Sequence, residues 1–119
     1  MNLKSYAQVM GLYEECKDAL QQLPGLVSVI FKFASMVDEN GPLEKGEGVN
    51  FVTGDGSVAI CNEDGKRLMV SIMCANNIWM MKHTLRADPD EMEKELQKLL
   101  DAMAKDYRNI VDEAGLNMN

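Results

Sequence analysis

Few side chains in this sequence have the types and spacing that chemistry requires. The only histidine is His83, and the three cysteines are Cys16, Cys61 and Cys74. One imidazole cannot build a multi-histidine metal centre within a chain. A Cys/His centre would need Cys61 or Cys74 beside His83 together with a third ligand, and no such spacing is present. No metal and no cofactor is therefore assigned. Cys74 and His83 have the residue types of a nucleophile and a base, but no orienting group accompanies them and no Gly-x-Ser-x-Gly occurs. Gly54-Asp55-Gly56-Ser57 resembles a phosphate loop only superficially. Phosphate cradles join a strand to a helix, whereas strand-like residues flank this tetrad on both sides, so it reads as a hairpin turn. No catalytic residue is assigned.

Two other groupings point to binding. Ten methionines occur, and Met69, Met73, Met80 and Met81 fall in one short stretch around Trp79, the sole tryptophan. Methionine is flexible and polarisable and is over-used on adaptable contact surfaces. Successive strand residues face opposite sides, so either Trp79 with Met81 or Ile78 with Met80 points away from the core. Met69, Met73, Trp79, Met80 and Met81 thus form a candidate interaction or ligand patch. The second grouping is acidic. Residues 88–113 hold nine carboxylates against four cations. Glu91, Glu93, Glu95 and Asp101 form a candidate acidic ridge for a basic protein partner. The competing reading is a solvated helix face, with Glu91–Lys94, Glu95–Lys98 and Asp101–Lys105 pairs at helical spacing.

These residues need elements to hold them. Tyr6, Val9, Met10, Tyr13, Cys16 and Leu20 recur at three and four, which predicts an amphipathic helix over 3–22 that Pro24-Gly25 ends. Val27, Val29, Phe31 and Phe33 alternate with other residues and are β-branched or aromatic, which predicts a strand over 26–37. A polar, glycine-bearing loop over 38–48 follows. Strands over 49–53, 57–61, 66–73 and 78–85 are separated by Gly54-Asp55-Gly56, Asn62-Glu63-Asp64-Gly65 and Asn76-Asn77, the turn chemistry of tight hairpins. Asp88 at N-cap, Pro89 at N1 and Glu91 at the capping-box position open a long helix that Gly115 closes. Its apolar stripe runs from Met92 through Leu96, Leu99, Leu100, Met103 and Tyr107 to Val111. The reading is one α+β domain over 1–119: an N-terminal helix, an antiparallel meander of about five strands, and a long C-terminal helix, with both helices on one sheet face.

The composition supports a globular chain, with 119 residues, 46% apolar and 26% charged. A net charge of −7 argues against nucleic-acid binding, since a phosphate-binding surface must be basic. No apolar run is long enough to span a bilayer, and no secretory signal opens the chain. Free thiols and a cytoplasmic location are expected. The functional expectation is a non-catalytic protein-interaction module: a small acidic adaptor, chaperone or inhibitor that forms a homodimer. The alternative is a small-molecule binding domain with an apolar pocket lined by Met69, Met73, Trp79 and Met81.

Overall fold

A computed structural model of the chain describes residues 23–113. The order is helix α1 (Pro24–Asn40), strands β1 (Gly48–Val52), β2 (Gly56–Asn62), β3 (Arg67–Cys74) and β4 (Met80–Arg86), a 3-10 turn (Pro89–Glu91) and helix α2 (Met92–Glu113). The strands form a four-stranded antiparallel sheet in sequence order, β1-β2-β3-β4. The α+β class, the meander and the long C-terminal helix agree with the sequence reading. The expected helix over 3–22 and the Gly115 stop lie outside the described residues.

The expected strand over 26–37 is a helix, so the sheet has four strands and not five. Leu26, Val29, Ile30, Phe33, Ala34 and Val37 are buried at helical spacing. Ser28, Lys32, Ser35 and Glu39 are exposed at intervals of four, three and four, the opposite stripe of the same helix. Strand propensity suits a half-buried pleated surface, and burial of the apolar stripe overrides it here. Pro24 belongs to the first turn of this helix, where its missing N–H costs nothing. The loop is shorter than expected, because Asp38–Asn40 completes α1. Its remainder is tied down. Asn62, 2% exposed, donates from Nδ2 to the Leu43 carbonyl at 2.8 Å and accepts the Gly65 N–H at 2.7 Å.

Alternation along the strands separates two faces. Val58, Ile60, Leu68, Val70, Ile72, Cys74 and Leu85 are buried beneath the helices, α1 over β2 and α2 over β4. A fully buried aliphatic or aromatic side chain contributes about 1.5–3 kcal/mol relative to an exposed one, so this layer supplies most of the driving force. Asp88 takes the expected capping role, its Oδ1 accepting the Asp90 N–H at 2.9 Å. The α-helical part of α2 covers about 33 Å at 1.5 Å per residue. No described helix is long and apolar enough to cross a membrane.

Candidate functional site

The face of the sheet turned away from α1 and α2 is the candidate site. Strand register fixes its layout. Val52 pairs with Ser57, Ser57 with Met73, and Met73 with Met80, so these four cross the whole sheet in one row. Val52 is 78% exposed, Met80 65% and Met73 40%. The next row on this face is Asn50, Ala59, Ser71 and Lys82, and then come Gly48, Cys61, Met69 and Thr84. Arg67 and Arg86 pair directly opposite one another at the far end. A shallow cleft of about 620 Å³ lies there, lined by Gly65, Lys66, Arg67, Arg86, Ala87 and Asp88.

Two tight turns hold the apolar end in place. Asp55, in the β1–β2 turn, accepts the backbone N–H groups of Gly25 and Leu26 at the start of α1. The helix has no capping side chain of its own, so the hairpin supplies one from 30 residues away. Gly56, at φ 156°, lies against β3 so closely that a Cβ there would meet the Met73 carbonyl oxygen at 1.9 Å. Only glycine permits this approach, and it sets Ser57 opposite Met73.

The structure divides the Met/Trp patch between two faces. Met69, Met73 and Met80 belong to the open face. Trp79 is 1% exposed, and Met81 is half-buried against the same core. Of the two orientations that the alternation allows, the structure has Met80 outward and Trp79 inward. The Trp79 ring meets Tyr107 edge-on with centroids 5.5 Å apart, and its Nε1 donates to Asp106. Met69, Met73, Trp79 and Met81 therefore do not line one pocket.

The acidic ridge is also divided. Glu95 is 5% exposed; its Oε2 accepts the Arg86 N–H at 3.2 Å and its Oε1 lies 3.5 Å from Lys98 Nζ. Glu91 reaches Lys94 at 3.8 Å, and Asp101 accepts from Gln97 Nε2 at 3.3 Å. Glu93 is half-buried, with an Oε1 that has no hydrogen-bond partner. Glu95 thus joins α2 to β4 and is not part of an outward docking edge.

The groups considered for chemistry stand apart. His83 pairs with Val70, four residues from Cys74 along β3, which is about 13 Å of strand. Cys61 lies on the open face and Cys74 on the helix face, and both are free thiols. Burial pushes the Cys74 thiol up, and the Asp55 carboxylate adds to the effect. Burial lowers the His83 pKa; Glu95 opposes the shift and Lys98 assists it. Among the described residues, no three His, Cys, Asp or Glu side chains gather as a metal site. Gly54-Asp55-Gly56 forms the β1–β2 hairpin turn, as its composition suggests.

Sequence reasoning did not identify Val52 or the cationic set Lys82, Arg67 and Arg86. Their parity along the strands was the available signal: each lies an even number of residues from an outward position. No protein-family model, curated protein or solved structure matches this chain.

Proposed function

We propose that this chain is a non-catalytic protein-interaction module, a small adaptor, chaperone or inhibitor, whose contact surface is the open face of its sheet. The row Val52, Met73 and Met80 carries this reading. These are the exposed large apolar side chains among the described residues, and register places all three at one end of one face. Met73 adjoins Met80 directly and only Ser57 stands between Met73 and Val52, and exposed apolar side chains clustered in this way mark an interaction site more often than isolated ones do. Methionines let such a surface adapt to its partner. The free thiols Cys61 and Cys74 suit a reducing cytoplasm. A homodimer is the case in which the partner is a second copy.

The test is native mass spectrometry of the full chain prepared from the cells that produce it, beside a Met73→Glu/Met80→Glu variant. The wild type is expected to carry a bound protein subunit. The variant is expected to be a bare chain with unchanged thermal stability. A bare wild-type chain would contradict the reading.

A further inference from the structure

The open face is not neutral. Its charged strand residues are Arg67, Lys82 and Arg86, and its strand positions hold no Asp or Glu, although the chain as a whole carries 19 carboxylates against 12 cations. Arg67 and Arg86 stand directly opposite in register, an arrangement of like charges that weakens a sheet unless an anion offsets it. Asp64, at the rim beyond β3, lies 3.8 Å from Arg67 in an exposed pair, and Asp88 lines the adjoining cleft. Among the described residues, no carboxylate lies within ion-pair distance of Lys82 or Arg86. The face therefore grades from apolar to basic. Met73 lies six residues along β3 from Arg67, about 20 Å of strand.

We propose that the open face takes an acidic, amphipathic segment of another protein. Apolar side chains lie over Val52, Met73 and Met80, and carboxylates reach Lys82, Arg67 and Arg86. The proposal rests on the reading of the open face as a contact surface and names the chemistry of what it contacts. Stacking two copies through this face brings the cations of both into one interface that offers no strand carboxylate to pair with them. Such like-charge juxtaposition discriminates against a partner.

The test titrates the full chain into two fluorescently labelled peptides with the same leucine spacing, one carrying glutamates and the other lysines at the remaining positions. The Leu/Glu peptide is expected to bind at least about tenfold more tightly, and to weaken as salt rises from about 50 to 500 mM. Lys82→Glu/Arg86→Glu is expected to abolish the preference. Arg86 serves the fold through its backbone N–H, so the reversal spares the Glu95 contact. Lys82→Gln/Arg86→Gln, which halves the change in charge, repeats the test if the reversal unfolds the chain. Equal binding of both peptides, or binding of neither, overturns the proposal. So does a dimer of the chain alone that Met80→Glu dissolves, or binding only to phosphatidylcholine/phosphatidylglycerol vesicles. If the native subunit is lost from Met73→Glu/Met80→Glu but the peptides are not distinguished, the contact surface stands and its acidic partner falls.

Discussion

The indole N–H of Trp79 donates to Oδ2 of Asp106, 27 residues further along the chain. This bond joins the start of β4 to the middle of α2. Burying the larger aromatic surface favours Trp79 inward and Met80 outward, and Asp106 satisfies the N–H that this burial takes from water. A buried indole N–H needs an acceptor, and α2 provides one only on the core side. The direction of Trp79 thereby decides which methionines reach the open face.

Replacing Asp106 tests that link. Asp106→Ala leaves the Trp79 N–H buried without a partner and is expected to cost about 1–3 kcal/mol. Asp106→Asn keeps a carbonyl acceptor and is expected to cost less. Urea unfolding followed by the emission of the sole tryptophan measures both. Equal stability of Asp106→Ala and the wild type would show that the bond does not hold the strand to the helix.

Asp55 caps α1 from the β1–β2 turn, accepting from Gly25 and Leu26. Loss of an N-cap acceptor typically costs about 0.5–2 kcal/mol, and Asp55→Ala is expected to fall in that range. Amide exchange should quicken first at Gly25 and Leu26, the two N–H groups that lose their acceptor. Uniform quickening throughout α1 and the sheet would contradict a local capping role.

Gly56 is expected to be the least replaceable turn residue. In Gly56→Ala the new Cβ would meet the Met73 carbonyl, and at φ 156° an L side chain is strained as well. The hairpin must open or shift, with a loss of at least about 1–3 kcal/mol. Gly54→Ala has open space around its Cβ and serves as the control. Thermal unfolding of the pair is the measurement, and equal midpoints would contradict the register described here.

His83 gives the fold a dependence on pH. Burial holds its folded-state pKa below the ordinary 6.5, so the unfolded chain binds the proton more readily. The contribution of His83 is present above pH 6.5 and is lost as pH falls through the window below it. Glu95 opposes the shift and Lys98 assists it. His83→Gln is expected to flatten the decline in urea-unfolding free energy just below pH 6.5, leaving the later acid transition of the carboxylates. An unchanged slope would mean that the imidazole is equally basic in both states.

The hairpins and α2 were legible because their signals are local. Asp-Gly, Asn-Asn and Gly-Asp-Gly fix turns wherever they fall, and Asp88-Pro89 opens a helix without tertiary help. Helix α1 was not legible in the same way. Val27, Val29 and Phe33 belong to its buried side, yet they share the odd parity that marks a strand. The interruptions at Ser28, Lys32 and Ser35 held the missing information, because they trace a helical polar stripe. At the site, parity identified Met69 and Met73 as sharing a face. It could not say whether Trp79 or Met80 joins them, since both are apolar and the acceptor that lets the indole be buried, Asp106, lies 27 residues away. The burial of Glu95 within the acidic ridge was hidden for a related reason. Composition counts Glu95 as surface charge, while a backbone N–H of β4 and Lys98 draw it inward.

The most direct test of the open face as a contact surface is radical footprinting of the methionines in cells and in the purified chain. Met73 and Met80 are expected to label quickly in the purified chain and slowly in cells. Met92 and Met103, both fully buried, are expected to stay slow in each. Equally fast labelling of Met73 and Met80 in both settings would show that nothing covers this face and would contradict the account.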